Sequence, residues 1–504
     1  MSTSQGAAVA GRPAGAPAAY PRRWLAAVVM IVGALMDMID VTIVNVALPT
    51  IRRDLHASAT QLEWVVSGYM LAFAAALIIA GNLGDRFGRK RVFLVGVAFF
   101  GLASLAAGIS GSGAELITAR VAQGTAAATM APQVLATFRA VFAGAERGKA
   151  FGIYGAMLGL ASAVGLLLGG VLTDANLFGW SWRSVFFVNV PVAACALIAG
   201  VRLVPETRDP GARRPDVPGA ILLAGSLVAI VYPLLEGRQY GWPAWTWVLL
   251  AAGLAGIGLV GTLEARRAAR TTRAARPTAA AEASGLNNTP APLLRADLFR
   301  VPAFAAGLGV QLAFAAGLQG FFLAFALWLQ SGEHFSPLKA GLTAVAFSVG
   351  SFVLAPFAAP LAQRHGRGVL AIGGAAMVAG IAGEALAAPH VGVNGSPWPV
   401  VPGLVVAGAG LALLIIPLVN VVLAAVPVEV AGGAAGLFST GQQLGGALGV
   451  ALLGTVFFGY LNNHSFEASI VHTAPYAMGA FALCAILSLL LPRTAVSEEA
   501  LTGG

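Results

Sequence analysis

Long apolar runs separated by short polar segments repeat along all 504 residues, and that pattern constrains the fold more than any other feature. A helix needs roughly 20 apolar residues to cross a bilayer. Runs of that order lie near 24–49, 61–83, 92–111, 114–136, 150–173, 183–203, 217–236 and 243–263. After a polar stretch come 303–330, 340–362, 368–388, 399–424, 433–460 and 471–491. Only helices and closed barrels satisfy their backbone groups in lipid, so the expectation is an all-α membrane protein with fourteen transmembrane helices. Charge supports it: only 10% of residues are charged, against about a quarter in a soluble domain.

The charges also give an orientation. With the N-terminus inside, twenty-four of the 30 lysines and arginines fall on inner segments. Arg52, Arg53, Arg183, Arg238 and Lys339 fall outside, and Arg120 is embedded. Basic residues are retained on the cytoplasmic side, so both termini are expected to be cytoplasmic and the chain to lie in the inner membrane. The net charge of +9 is thereby used up in loop anchors, and no nucleic-acid partner is expected. Cys195 and Cys484 sit inside apolar runs and the six histidines are scattered, which indicates neither a disulfide nor a metal site. Residues 1–21 read as a tail rich in Ala, Pro and Gly. Two aspartates interrupt the following run and no cleavage site ends it, so it reads as a first span, not a signal peptide.

A weak repeat organises the rest. GNLGDRFGRKR (81–91) and APLAQRHGRG (359–368) align at a constant offset, with Leu83, Arg86, Gly88 and Arg89 matching Leu361, Arg364, Gly366 and Arg367. The expected layout is a six-helix bundle at 22–203, two inserted helices at 217–263 and a basic linker at 264–300. A second six-helix bundle at 301–492 and a tail at 493–504 complete it. Two similar bundles flanking a midplane site are a transporter architecture. The arginine run of the linker suits either lipid headgroups or plain solvent.

An ionisable residue within a span is expensive, and so a functional candidate. Asp37 and Asp40, three residues apart, share one face of the first span. Arg120 lies in the fourth, at a comparable depth in the outer half. An arginine stays charged, whereas a carboxylate beside it can take a proton and change partners. The alternative is a fixed ion pair that fastens the first span to the fourth. Glu384 reads as a loop-edge residue at the outer end of the eleventh span. Glu63, Glu115 and Glu236 also fall near edges and receive no role. In the 81–91 segment, Gly84 and Gly88 are expected to reverse the chain and Asp85 to face a helix N-terminus. Arg86, Arg89, Lys90 and Arg91 would anchor the inner surface. Gly152, Gly155, Gly159, Gly165, Gly169 and Gly170 line the fifth span, for close packing or for pliancy. No nucleophile–base set or metal cluster is visible, so an enzyme is not expected.

These segments together resemble the fourteen-span drug:proton antiporter family of the major facilitator superfamily. IDVTIVNVALP (39–49) is similar to the family's first-span motif, whose acid falls on Asp40. Gly81, Asp85, Arg86, Gly88 and Arg89 match the superfamily's loop motif. LITARVAQGTAAATMAP (116–132) resembles the fourth-span motif, which places the arginine implicated in proton coupling at Arg120, followed by Gln123 and Gly124. The fifth span, with Gly152, Gly165, Gly169 and Gly170, resembles the antiporter motif. Leu166 and Ala161 stand where that motif usually has proline and glycine. WSWRSVFFVNVP (180–191) and GLFSTGQQLGGALGVALLGT (436–455) look typical of the same branch.

The resemblance implies two bundles rocking about a central cavity, with protons as the coupling ion and no bound cofactor. It implies an amphipathic small-molecule substrate, lipid neighbours and a monomer. A lipid or metabolite exporter would share these motifs; a channel or a membrane scaffold is the different class to be excluded.

Overall fold

A computed structural model describes residues 20–208, 216–274, 298–426 and 431–492. The tails at 1–19 and 493–504 and most of the linker lie outside the described residues. Every expected span coincides with a helix. In chain order these are α1 (Arg23–Asp54), α2 (Ala59–Phe87), α3 (Arg89–Ile109), α4 (Gly113–Val141), α5 (Gly144–Ala175), α6 (Asn189–Leu203) and α7 (Val217–Glu236). There follow α8 (Ala244–Ala274), α9 (Pro302–Leu327), α10 (Pro337–His365), α11 (Gly368–Ala387), α12 (Val401–Ala424), α13 (Ala431–Leu461) and α14 (Phe466–Ser488).

Among the described residues, 11 helices are long and apolar enough to cross a membrane, and α2 makes 12 when the parts either side of its bend are joined. α4 and α5 are as long as the others but differ in chemistry. α4 carries Glu115, Arg120, Gln123, Gln133 and Arg139, which lowers its mean hydropathy, and in α5 only Ala163–Ala175 stands out as apolar. The chain is thus a multi-pass all-helical membrane protein.

Local sequence explains where the helices begin. Ser58 forms a capping box with Gln61: the Gln61 amide donates to its hydroxyl at 3.1 Å and the Ser58 amide donates back to Oε1 at 3.0 Å. Ser112, Ser336 and Ser465 cap α4, α10 and α14, with a proline starting α10 just after its cap. The linker expectation needs correcting at its start. α8 continues as a helix to Ala274, because the Glu-, Ala- and Arg-rich sequence after 263 favours helix once begun.

The turns fall on two faces. The upper face holds the turns at 55–58, 110–112, 237–243, 333–336 and 462–465; the lower holds 88, 142–143, 204–208 and 366–367. At the lower face the α2–α3 and α10–α11 turns are built alike. Gly88 has φ 101° and Gly366 has φ 60°, left-handed values that admit glycine with least strain.

Helices α1–α6 pack on one another, with α4 against α2 and α3, and α1 against α5 and α6. Helices α9–α14 form a second group, with α11 and α10 on α12 and α9 on α13. The hairpin α7–α8 leans on the first group through α2 and on the second through α13; α8 packs mainly on α7.

Two main seams join the groups, α2 against α13 and α5 against α10, with a smaller contact of α1 on α9 and α10. Both main seams are closely packed toward the upper face. A Cβ on Gly170 would come within 2.8 Å of the Leu338 Cα, and one on Gly341 within 2.7 Å of the Leu166 carbonyl. Gln330 Nε2 donates to the Val46 carbonyl at 2.8 Å. Toward the lower face the groups part. A Cβ on Gly148, Gly152 or Gly155 would meet nothing within 4 Å, and Phe352 and Phe357 on α10 are exposed.

Candidate functional site

The polar centre of the first group is built on one carboxylate. Asp40 is fully buried on α1. Its Oδ2 accepts from Arg120 Nη1 on α4. Its Oδ1 accepts from Gln123 Nε2 at 2.7 Å and from Asn189 Nδ2, the first residue of α6, at 2.9 Å. Arg120, 2% exposed, is held from other sides as well. Its Nε donates to the Val65 carbonyl of α2 at 3.1 Å, and its Nη1 to Gln123 Oε1 at 2.6 Å. Gln123 Nε2 also donates to Ser104 Oγ on α3 at 2.8 Å. One ion pair therefore joins α1, α2, α3, α4 and α6.

α4 can lie this close to α2 because Gly124 has no side chain: a Cβ there would collide with the Tyr69 backbone. The ring of Tyr69 lies 4.2 Å from the Arg120 guanidinium carbon, a cation–π contact inside the bundle. The Tyr69 hydroxyl donates to Asp37 Oδ1. Asp37 thus reaches the arginine through Tyr69, whereas Asp40 binds it directly. Asp37 is half-buried and Asp40 is sealed.

Asp40 accepts from three donors, one of them a permanently charged guanidinium, and charge-assisted hydrogen bonds of this kind are among the strongest in a protein. Removing either member of a buried pair costs roughly 3–5 kcal/mol, since the other charge is left uncompensated. The arrangement can hold a charge in an apolar environment and release it when a proton or another cation takes the guanidinium's place.

Spacing and depth brought out Asp37, Asp40 and Arg120. They did not bring out Tyr69, Asn189 and Ser104. The only sequence signal for these is an isolated polar residue within an apolar run, and many such residues bond only to their own helix, as Thr42 does to the Ile39 carbonyl.

The 81–91 segment departs from expectation at two residues, Gly84 and Asp85. Gly88 makes the turn; Gly84 stays helical inside α2, where a Cβ would overlap the Gln133 side chain. Asp85 grips Arg89 instead of a helix end, its Oδ1 accepting from Nη2 at 2.8 Å and Nε at 3.0 Å. The acid at the α3 N-terminus is Glu206, which accepts from the Lys90 amide at 3.2 Å. Arg86 stacks over Phe87, and Gly81 has open space where a Cβ would point.

The glycines of α5 divide. Gly165 and Gly169 face α1, where a Cβ would overlap Thr42 or the Ile43 carbonyl, and Gly170 faces α10. A Cβ on Gly152 would meet nothing within 4 Å among the described residues, so close packing does not explain it.

Glu63, Glu115, Glu236 and Glu384 all lie near helix ends, but two of them are sealed from solvent. Glu63 is fully buried and Glu384 is 2% exposed. Glu63 lies 3.5 Å from Arg238. Neither carboxyl oxygen of Glu384 has a hydrogen-bond partner among the described residues. Position near a helix end does not by itself mean exposure: Gly454 on α13 packs against Glu63, and Gly403 on α12 packs against Glu384.

The family model described as Major Facilitator Superfamily matches residues 30–223, 210–450 and 308–503. The chain belongs to that superfamily of membrane transporters, on its drug-efflux branch, and is not an enzyme. It is 38% identical over 453 residues to the probable actinorhodin transporter of Streptomyces coelicolor, covering 90% of this chain and 75% of that protein. It is 36% identical to the puromycin resistance protein pur8 of Streptomyces alboniger, covering 95% and 93%. Among solved structures it superimposes on a bacterial homologue of the human drug peptide transporters PepT1 and PepT2. That match has a TM-score of 0.63 at 15% identity and covers 93% of this chain and 97% of the other. It bears on the fold alone.

Proposed function

We propose that this chain is a fourteen-span, proton-coupled antiporter that exports amphipathic small molecules, antibiotics or other drugs, across the cytoplasmic membrane. Two six-helix groups carry the exchange and the α7–α8 hairpin is inserted between them. Protons are the coupling ion, with no bound cofactor. The carrier works as a monomer among lipids, with both termini in the cytoplasm and no nucleic-acid partner.

The observation that carries this reading is the buried Asp40–Arg120 pair, set among Gln123, Asn189 and Tyr69. A charge pair at this depth is costly to bury, so its presence supports a functional role. Relatives named for the export of, or resistance to, single antibiotics support the substrate class.

With the positively charged lower face taken as cytoplasmic, the closed upper seams and parted lower ends support the reading of an inward-open carrier. Substrate enters from the cytoplasm. Closure of the lower side and opening of the upper side release it outward. A proton from outside then neutralises Asp40, loosens Arg120 and allows the return. Coupling needs only that proton and substrate favour different states of the same equilibrium. Asp37, which reaches Arg120 through Tyr69, relays the proton or meets a cationic substrate in this scheme. The Asp85–Arg89 pair and the Gly81–Gly88 segment fasten the lower ends of α2 and α3 during that motion. Gly152 and its neighbours give α5 room to bend, while Gly165, Gly169 and Gly170 keep its upper half tightly packed.

Expression in a pump-deficient bacterium tests this reading. Resistance to a drug panel and dye efflux should rise above the empty vector, and an uncoupler should abolish both. Efflux that persists under the uncoupler sinks the proton-driven reading. Protection against no drug, together with export of a cell lipid or metabolite, moves the substrate class.

A further inference from the structure

The hairpin α7–α8 touches both helix groups, and the residues at its turn form a second ionic cluster. Arg238 Nη2 lies 3.5 Å from Oε1 of Glu63 on α2, in the first group. Its Nη1 donates to the Gly454 carbonyl on α13, in the second group, at 3.1 Å. Its guanidinium carbon stands 5.1 Å from the Phe458 ring centroid, also on α13. Two further bonds fix the turn. Trp64 Nε1 on α2 donates to Glu236 Oε1 at 2.9 Å, and Thr455 Oγ1 on α13 donates to the Leu234 carbonyl at 3.3 Å.

Glu63 is fully buried, and neither of its oxygens accepts a hydrogen bond among the described residues. Arg238 is therefore its compensating charge. The pair lies over the α2–α13 seam, where Gly454 approaches Glu63 so closely that a Cβ would stand 2.6 Å from the carboxyl oxygen. The seam cannot part at the upper face without either breaking the Arg238 contact to one group or leaving Glu63 exposed. Exposed aromatic residues, Tyr240 and Trp247, ring the hairpin turn as membrane-interface anchors do. The turn is thus held in place while the groups move. The α5–α10 seam is closed in another way, by the mutual approach of Gly170 and Gly341.

We propose that Glu63 and Arg238 are positioning residues of the transport cycle. Their pair latches the upper side of the α2–α13 seam, so the inserted hairpin is a working part of the outer gate. This rests on the alternating-access reading above. Gating is shared unequally: one seam is locked by charge and the other by close packing.

The test uses the full-length protein in membranes, with Cys195 and Cys484 replaced by serine and a reporter at Ser67→Cys. Ser67 is fully buried in this seam, its hydroxyl 3.4 Å from the Ala447 carbonyl. A membrane-impermeant maleimide should label it slowly in the parent and about tenfold faster in Glu63→Gln, Arg238→Gln and the double variant alike. Arg238→Lys, which keeps the charge but loses the fork to Gly454, should fall between. Labelling at the parent rate in both single variants overturns the latch, as does a double variant whose effect is the product of the two.

Sidedness is read independently from Arg53→Cys at the exposed upper end of α1. If that cysteine labels only in inverted vesicles, the orientation assumed above is wrong. The Ser67→Cys comparison is then made in those vesicles and still decides the latch.

Discussion

The two helix groups share a turn design but not a chemistry. Gly88 and Gly366 both turn the chain at the lower face with positive φ, and each is followed by an arginine. In the first group Arg89 meets the carboxylate of Asp85; in the second, Gln363 stands in Asp85's place and Arg367 donates to the Leu491 carbonyl at 2.9 Å. The contrast deepens toward the core. The first group buries Asp40 with donors on α4 and α6. At the same offset the second group has Leu318, and its core is an aromatic stack of Phe321, Phe322, Phe325, Trp328 and Phe347. It buries two acids near the upper face: Glu333 accepts from Trp328 Nε1 at 2.8 Å, and Glu384 has no donor among the described residues. On the function proposed above, two halves with one architecture divide the labour, one holding the proton switch and the other supplying an apolar wall.

The contrast breaks most decisively at Asp40. Asp40→Asn keeps the shape but removes the charge and the titratable proton, and should abolish uncoupler-sensitive efflux in a protein that still reaches the membrane. Wild-type efflux in that variant would remove the first group's special status. Next in size is Gly124→Ala. Its methyl collides with the Tyr69 backbone, an overpacking cost of roughly 1–3 kcal/mol, and it draws Arg120 away from Asp40. Resistance should fall by about tenfold or more, with a lowered Tm in detergent.

Tyr69→Phe keeps the ring beneath Arg120 but deletes the hydroxyl bonded to Asp37. A net hydrogen bond is worth about 1 kcal/mol, so initial efflux rates should drop by several-fold without loss of proton dependence. In the second group, Glu384→Gln loses no bond and should leave efflux within about twofold of wild type. Abolished coupling there would mean that both groups carry protons.

The smallest effect is expected at the surface pair of Arg23 and Glu146. The bond from Arg23 holds the Glu146 carboxyl below its ordinary range. A depressed carboxylate pKa stabilises the fold only above that range and loses the effect as the pH falls through it. Glu146 is exposed, so Glu146→Gln should change resistance by less than about twofold at neutral pH.

Much of the helical pattern could be read in the residues, because span length is a property of the bilayer and not of tertiary context. The embedded Asp37, Asp40 and Arg120 were readable for the same reason: charge is rare within apolar runs. Partnership was not readable. Nothing in the spacing distinguishes Asp40, bound directly to Arg120, from Asp37, which is reached through Tyr69. That choice depends on how α2 rotates against α4, which the Gly124–Tyr69 contact sets. Glu63 and Arg238 were hidden for a different reason. They are far apart in the chain and each sits near a span end, where charge is ordinary; only packing reveals that they bury one another.

The central claim is that one buried carboxylate couples protons to export. Purified protein in liposomes tests it most directly, by following substrate movement before and after an imposed pH gradient. Wild-type protein should accumulate substrate against its gradient, with proton movement in the opposite direction. Asp40→Asn should still exchange labelled for unlabelled substrate but ignore the pH gradient. Gradient-driven accumulation by Asp40→Asn at the wild-type rate would contradict the account.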